Sequence, residues 1–393
     1  MHTILYPVNA LHHAGAEQQL LALVRGLDKE RYCPLVAPLY SGGSLDAQFR
    51  AVPGVTIIDL DRRGKYDPAP LWKLGAILRR ERVAITQPFL TLSTFFGLIP
   101  ALAMRTPVKI VTERCGVRKS RGVGYKTYRT AEDWLTRFAD SVVPNSQAGA
   151  DLLRERGIAD KKIQTIYNGL DRARLQPDPV EIAAHRARFG VPTGGKFVGI
   201  LATLTQAKDH ATFLRAAALV AAAQPETRFA IIGEGALRGE LTALAARLGL
   251  TQKVTFCGYQ TRVADYLASC DLLVSSSRDN EGASNSILEG MELGVPVVAT
   301  NIGGNGELVQ DGVTGHLTAI GDHEAIAAAT LRAFADPVET ATLIANARQL
   351  VKIAFSHEGM VAQYEELYVR LLAAHQRATT PPIRRAPAEG SAE

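Results

Sequence analysis

The feature that most constrains the fold of this 393-residue chain is an alternation of short apolar runs with helical patterns, which the sequence carries twice. Parallel strands need long crossover connections, and strands covered by helices on both faces are apolar throughout. We therefore expect an α/β fold of two doubly wound parallel-sheet domains facing a central cleft, with ligands at the carboxyl ends of the strands. The predicted strands are 3–8, 33–37, 55–60, 83–87, 108–112, 141–144 and 163–166, then 197–201, 228–232, 254–257, 271–275 and 297–300. The predicted helices are 16–27, 45–51, 70–81, 92–104, 125–139 and 147–156, then 210–223, 236–248, 286–293 and 324–335.

Composition narrows the class of protein. An apolar content of 47% excludes a disordered chain, and the length suffices for two ordinary domains. The net charge of +5 is a mild excess that suits nucleotide phosphates or an anionic membrane surface. The four cysteines lie far apart without metal-ligand spacing, which predicts reduced thiols and a cytoplasmic protein. We expect a first strand rather than a signal peptide at the N-terminus, and no membrane-spanning helix.

An anion site is predicted where the strand at 271–275 is followed by a polar loop and a helix that begins near Ser286. The first amides of a helix have no partner within it and attract negative charge. Ser284, Asn285 and Ser286 are residue types that cap helices well, and Gly282 would let the backbone approach a ligand closely.

Two carboxylates frame this loop, Glu281 before it and Glu289 within the helix. Glu289 lies four residues after Asn285, so both face the same side of the helix. A carboxylate beside an anion site suits the hydroxyl groups of a sugar, from which it accepts strong hydrogen bonds. The pattern predicts a nucleotide sugar, with a phosphate group between two polyols. Taken singly, Glu281 and Glu289 also fit a solvated loop residue and a surface helix residue.

The stretch from Glu281 to Glu289 resembles the Glu-x7-Glu signature of retaining GT-B glycosyltransferases of the glycosyl transferase group 1 family. The segment 303–317, Gly-Gly-Asn-Gly-Glu-Leu-Val-Gln-Asp-Gly-Val-Thr-Gly-His-Leu, resembles the continuation of that signature. The resemblance runs over most of residues 1–375. It implies that each domain is Rossmann-like and that a sugar moves from a nucleotide-diphospho-sugar to a saccharide or lipid-linked acceptor in cell-surface polysaccharide or glycolipid synthesis. A UDP-sugar is favoured as donor, with GDP-mannose next.

The resemblance also implies the domain boundaries. An N-terminal acceptor-binding domain would span 1–170 and a C-terminal nucleotide-sugar-binding domain 190–355, joined by a segment rich in turn formers at 168–179. The apolar stripe of helix 356–375 is expected to cross back and complete the first domain. Residues 376–393 are expected to form a disordered tail.

Donor-binding roles follow for residues of both domains. Lys208, after a strand and before a helix capped by Asp209, would face the diphosphate, although a solvated lysine also fits this position. The family has a basic residue five positions earlier, where this chain has Thr203. Glu281 would position the donor sugar, and Glu289 would bind the ribose hydroxyls. The remaining predicted donor-binding residues are Gly15, Gly233, Tyr259, Gly282, Ala283, Ser284, Asn285 and Ser286.

The segment 109–129 is strongly basic and is predicted to border the acceptor, with Arg114, Arg118 and Lys119 on the acceptor side. Glu113 stands where many relatives have a histidine, and it is the third predicted catalytic residue after Glu281 and Lys208. Glu113 and Arg114 also fit a plain ion pair. An anionic acceptor such as a lipid diphosphate at the inner membrane surface would suit the basic segment, as would solvent alone.

Neither a metal nor a cofactor is expected, since an Asp-x-Asp pair is missing near the loop and the nucleotide sugar is a substrate. Nucleic acid is not an expected partner. Two other functions stay open: a sugar-nucleotide epimerase of the same overall fold, and a catalytically weak paralogue that binds nucleotide sugar, which Thr203 and the missing histidine suggest. The turn Gly233-Glu-Gly235 resembles a dinucleotide fingerprint, but its spacing is wrong by one residue.

Overall fold

The computed structural model describes residues 1–12, 14–64, 66–114, 123–279 and 281–379. Within these residues the chain forms two six-stranded sheets in which every strand pair is parallel. The first sheet contains β1 (His2–Val8), β2 (Tyr32–Pro38), β3 (Thr56–Ile57), β4 (Ile85–Thr86), β5 (Val108–Glu113) and β6 (Ser141–Pro144). The second contains β7 (Phe197–Leu201), β8 (Arg228–Ile232), β9 (Val254–Gly258), β10 (Leu272–Ser275), β11 (Val297–Thr300) and β12 (His316–Thr318).

Helices connect the strands and flank both sheets. Those before the linker are α1 (Gly15–Gly26), α2 (Asp46–Arg50), α3 (Ala69–Arg80), α4 (Thr91–Ala103), α5 (Val123–Thr136) and α6 (Gln147–Glu155). Those after it are α7 (Pro179–Arg188), α8 (His210–Ala223), α9 (Arg238–Arg247), α10 (Val263–Ala268), α11 (Asn285–Leu293), α12 (Asn305–Leu308), α13 (His323–Ala335), α14 (Pro337–Ala354) and α15 (His357–Thr379).

Both sheets have the same strand order. The first runs β3-β2-β1-β4-β5-β6, and the second runs β9-β8-β7-β10-β11-β12 when read in the matching direction. In each sheet the chain reverses its direction of winding between the first and fourth strands, β1 and β4 or β7 and β10. Ligands of doubly wound sheets bind at this switch point, beyond the carboxyl ends of the strands. The loops after β1, β7 and β10 are therefore the places to look for a site.

Helix α15 closes the first sheet although it follows the second in sequence. Its buried face, which includes Tyr364 and Tyr368, packs in the same core as β1 and α1. The hydroxyl of Tyr368 donates to Gln87 at 2.6 Å and is 3.0 Å from the hydroxyl of Tyr6, so the helix is fixed by polar contacts inside that core. The helix predicted at 356–375 is α15, which continues to Thr379, so residues 376–379 of the predicted tail are helical and that part of the prediction is wrong. Residues 380–393 lie outside the described residues.

The predicted strand at 163–166 is only partly formed. Ile163 forms a single isolated bridge with Val142, and the amides of Gln164 and Ile166 donate to the carbonyls of Val142 and Pro144 at 3.0 Å each, so the segment lies along β6 without forming a strand of its own. Leu170 pairs in the same isolated way with Ser356, at the start of α15, so the two chain crossings between the domains lie side by side.

Candidate active site

The loop that follows β10 is bonded to the loop that follows β7. The hydroxyl of Ser276 donates to the carbonyl oxygens of Lys208 and Asp209, at 3.0 Å each, and the amide of Arg278 donates to the carbonyl of Ala207 at 2.8 Å. Asp209 has a φ of 44°, and its side chain accepts a bond from the amide of Thr212 in the first turn of α8. The switch point of the second sheet is thus a fixed frame that brings residues 208 and 281 together.

Lys208 and Glu281 form an ion pair inside this frame. The Nζ of Lys208 lies 2.5 Å from the Oε2 of Glu281, and the side chains are 26% and 6% exposed. Lys208 also lines a small cavity together with Ser286 of α11. The structure therefore places the ammonium near the start of α11, and its partner in the described residues is the carboxylate that the sequence assigns to the sugar. Thr203 lies exposed after β7.

Helix α11 begins without the side-chain cap that its sequence predicts. Its N-cap residue is Ser284, whose hydroxyl lies 3.1 Å from that of Ser286 and caps no amide of the described helix. The first helical bond runs from the amide of Leu288 to the carbonyl of Ser284, so the amides of 285–287 precede it. A helix start of this kind favours an anion.

Asn285 joins the two domains instead of capping its helix. Its Nδ2 donates to the carbonyl of Gly15 at 3.2 Å, and its Oδ1 accepts from Asn168 at 2.8 Å and from Gln19 at 3.2 Å. A Cβ on Gly15 would lie 3.2 Å from the Nδ2 of Asn285, so the first turn of α1 approaches Asn285 closely. The positive ends of α1 and α11 therefore meet at the mouth of the cleft.

Glu289 is buried one turn further along α11. It lines a cavity with Asn285, Gln18, Gln19 and Arg174, which together belong to both domains and the linker. Burial raises the pKa of Glu289 to about 7, and the nearby charge of Arg174 lowers it in part. Glu289 and Asn285 share one face, as their spacing predicts. A carboxylate in this setting can exchange a proton near neutral pH and accept hydrogen bonds from hydroxyl groups when it is ionised.

The space beside Gly282 is filled by protein. A Cβ on this residue would lie 2.4 Å from the Oδ1 of Asn145, so the absence of a side chain serves the contact between domains rather than a ligand. Ala283 is buried, and its carbonyl accepts a bond from the Nδ2 of Asn168 at 2.8 Å. On the other side Gly303 packs so closely that a Cβ would lie 1.9 Å from the carbonyl oxygen of Glu281. The loop is held rigidly from both sides.

Gly233 and Tyr259 lie at the carboxyl ends of β8 and β9. Gly233 has a φ of 143°, and a Cβ there would lie 2.1 Å from the carbonyl oxygen of Ala202. The turn thus packs against the segment that leads to Lys208. Tyr259 is 46% exposed, and its hydroxyl is hydrogen-bonded to Ser44 of the first domain. The sequence assigned both residues to the donor, and they flank the same cleft.

The alternative in which Glu113 and Arg114 pair with each other is wrong. Glu113 ends β5 and bonds to Arg156 at 2.8 Å, because successive residues of a strand point to opposite faces. Arg114 donates to the Oδ1 of Asn168 at 2.7 Å and to the hydroxyl of Tyr364 at 3.0 Å. Arg114 therefore supports the linker and α15. The predicted acceptor-side residues Arg118 and Lys119 lie outside the described residues.

Glu307 is a site-forming residue that sequence analysis missed. Its carboxylate accepts bonds from the amides of Gln147 and Ala148, at 2.7 and 2.9 Å, and from the hydroxyl of Tyr167 at 2.7 Å. Helix α12 of the second domain thus caps α6 of the first. Asn168 and Gln19, which hold Asn285, were also missed as site residues. Of these residues, only Asn168 could be found from the sequence, since it stands in the Asn-Gly-Leu-Asp corner of the linker.

Glu17 differs from a plain first-turn carboxylate. The side chain is buried, and burial raises its pKa to about 7. Among the described residues, no three His, Cys, Asp or Glu side chains are grouped so that they could hold a metal ion. Across the same residues, none of the helices combines the length and apolar character needed to cross a bilayer.

Comparisons with known proteins agree with this geometry. Two family models match, Glycosyltransferase Family 4 over residues 13–174 and Glycosyl transferases group 1 over residues 195–336. The lipopolysaccharide core biosynthesis mannosyltransferase LpsB of Rhizobium meliloti is 30% identical over 245 residues, 60% of this chain and 68% of that protein. The N-acetyl-alpha-D-glucosaminyl L-malate synthase of Bacillus anthracis is 28% identical over 214 residues, 54% of this chain and 55% of that protein.

Among solved structures, Anabaena Alr3699/HepE in complex with UDP-glucose has a TM-score of 0.82 at 24% identity, over 94% of this chain and 100% of that one. This similarity concerns the fold. The fold and the site together define a glycosyltransferase of the GT-B type. The chain belongs to the glycosyl transferase group 1 family.

Proposed function

We propose that this glycosyltransferase transfers a sugar from a UDP-sugar to a saccharide or lipid-linked acceptor, with retention of the anomeric configuration and without an essential divalent metal. GDP-mannose is the second choice of donor. The observation that carries the proposal is the meeting of two helix starts, at Gly15 and Asn285, beside the ammonium of Lys208. Two positive helix ends and one cation together favour a pyrophosphate.

In the proposed reaction the bond between the anomeric carbon and the diphosphate oxygen breaks, and the acceptor oxygen bonds to that carbon from the same face. The acceptor proton passes to an oxygen of the departing diphosphate. Lys208 and the amides of 285–287 stabilise the charge that grows on the diphosphate. Glu281, held beside Lys208, would position the donor sugar, and Glu289 would bind the ribose hydroxyls when ionised.

The acceptor is proposed from the first domain and from the relatives. LpsB is named for lipopolysaccharide core biosynthesis, which supports a saccharide acceptor in cell-surface polysaccharide or glycolipid synthesis. The basic segment 109–129 suits an acceptor that carries phosphate, and it would place the protein on the inner face of the cell membrane. The donor proposal is supported by HepE, whose solved complex contains UDP-glucose.

Purified protein tests the proposal in two steps. Thermal shift with UDP, GDP, ADP and NAD in the presence of EDTA should show stabilisation by UDP above the others. UDP-sugars that stabilise the protein are then followed by NMR, which should show release of UDP and an α- or β-linked product of the donor's own configuration. A product that keeps its nucleotide would indicate an epimerase, and inverted configuration or a strict metal requirement would contradict the proposal.

A further inference from the structure

Arg174 enters the cleft from the linker between the domains. It ends a 3-10 turn, Arg172–Arg174, which is capped by Asp171 through a bond from the amide of Ala173. The guanidinium of Arg174 donates to the Oε1 of Gln18 on α1 at 2.7 Å. Arg172, two residues earlier, instead pairs with Glu292 at 2.9 Å. The turn therefore directs Arg174 toward the first domain and Arg172 to an ion pair on α11.

Arg174 lies in the region where the nucleoside of the donor is predicted to bind. Its side chain lines the same cavity as Glu289 and Asn285. Burial raises the pKa of both Glu289 and Tyr259, and the charge of Arg174 lowers both, so the guanidinium is electrostatically close to each. Within the described part of the chain, Arg174 has no ion pair. A guanidinium has five N–H donors, so the one bond to Gln18 leaves other donors for a ligand.

The chemistry of a guanidinium restricts what it can recognise. Arginine donates hydrogen bonds and accepts none, so it binds carbonyl oxygens and rejects amino groups. If Glu289 binds the ribose, a guanidinium that lines the same cavity lies within reach of the base. We propose that Arg174 is a specificity residue of the donor site that binds the O4 carbonyl oxygen of uracil, where cytosine has an amino group, and so favours uracil over cytosine. This inference rests on the proposed function, and it names a determinant of base choice.

The test compares UDP with CDP, in which the O4 carbonyl oxygen of uracil is replaced by an amino group and N3 loses its hydrogen, while the O2 carbonyl is the same in both. Isothermal titration calorimetry would measure both affinities for the wild type, Arg174→Gln and Arg172→Gln. The second variant is the matched control, because it removes the same charge from the same turn. Melting temperatures of all three proteins establish that they are folded, and Arg174→Lys, which keeps the charge, serves as a further variant.

In the wild type UDP should bind about 10-fold or more tightly than CDP, since loss of a hydrogen bond to a charged group weakens binding by about that factor. Arg174→Gln should weaken UDP by about 10-fold and change CDP by less than about 3-fold, because glutamine can both donate and accept. Arg172→Gln should keep the wild-type ratio. Equal weakening of both nucleotides, or an unchanged ratio in Arg174→Gln, would overturn the inference. Failure of the wild type to bind UDP at all would instead refute the proposed function.

Discussion

Replacing Glu281 by glutamine separates two effects that a single carboxylate has on the reaction. This carboxylate lies 2.5 Å from the Nζ of Lys208 and is almost completely buried. It therefore neutralises the cation that would receive the diphosphate. Glu281→Gln should bind the product UDP more tightly while it turns over the donor more slowly, because the sugar contact is lost but the ammonium is freed.

The size of the first effect follows from the geometry. A phosphate oxygen on the far side of the ammonium would lie about 2.8 Å from Nζ, hence roughly 5 Å from the carboxylate oxygen. Two unit charges at that separation repel by about 3 kcal/mol at an effective dielectric constant of about 20. Because the Lys208 side chain is 26% exposed, screening reduces this to about 1–2 kcal/mol, or about 10-fold in the affinity for UDP.

Calorimetric titration with UDP measures this effect, and steady-state kinetics with a UDP-sugar measure turnover. The activation free energy of turnover should rise by about 2–4 kcal/mol, as expected when one preorganised transition-state contact is lost. Glu292→Gln is the control, since it removes the same charge from α11 at a residue that pairs with Arg172 and not with Lys208. Weaker UDP binding in a folded Glu281→Gln protein, or turnover close to the wild type, would refute the reasoning.

Three further variants test other parts of the account. Burial raises the pKa of Glu289 from its ordinary 4.5 to about 7, so this carboxyl lowers the stability by up to about 3 kcal/mol as the pH rises from 4.5 to 7. Burial shifts the pKa of Glu17 in the same direction, so Glu289→Gln should remove only the part of the decline that Glu289 contributes, measured by denaturant titrations of wild type and variant at several pH values. Tyr368→Phe removes the hydroxyl that bonds to the buried polar groups of Tyr6 and Gln87, so it should lower the free energy of unfolding by about 1–3 kcal/mol. A change under about 0.3 kcal/mol would contradict that role. Glu307→Ala removes the carboxylate of α12 that caps α6 and should weaken the contact between the two domains by about 2 kcal/mol. X-ray scattering should then show a larger radius of gyration, and an identical scattering curve would argue against this role.

The sequence predicts the second domain better than the first. Strands β7, β8 and β11 and helix α8 have the predicted bounds, because each is a short apolar run or a capped amphipathic stretch whose ends are marked locally. Helices α7 and α14 were missed although Asp178 and Asp336 cap them, since their exposed surfaces dilute the apolar pattern. The predicted strand at 163–166 lies along β6 but forms only one bridge, because the extent of its pairing depends on the path of the linker, which the local pattern does not contain.

The site residues also divide into those that local sequence predicts and those that depend on contacts between distant segments. Spacing alone correctly placed Glu289 and Asn285 on one face of α11. The partners of Asn285, Gly282 and Arg114 belong to the other domain or to α15, and a contact between distant segments leaves no periodic signal in either of them. Capping propensity misled for Ser284 for the same reason: the helix start is organised by contacts across the cleft, which a local rule cannot weigh.

The central claim is that the start of α11 and the ammonium of Lys208 receive the diphosphate of a donor nucleotide. The most direct measurement is a crystal structure of the protein with UDP. We predict diphosphate oxygens within hydrogen-bond distance of the amides of 285–287 and of the Nζ of Lys208, with ribose hydroxyls on Glu289. A nucleotide bound elsewhere, or a diphosphate in the cleft that contacts neither Lys208 nor the start of α11, would contradict the account.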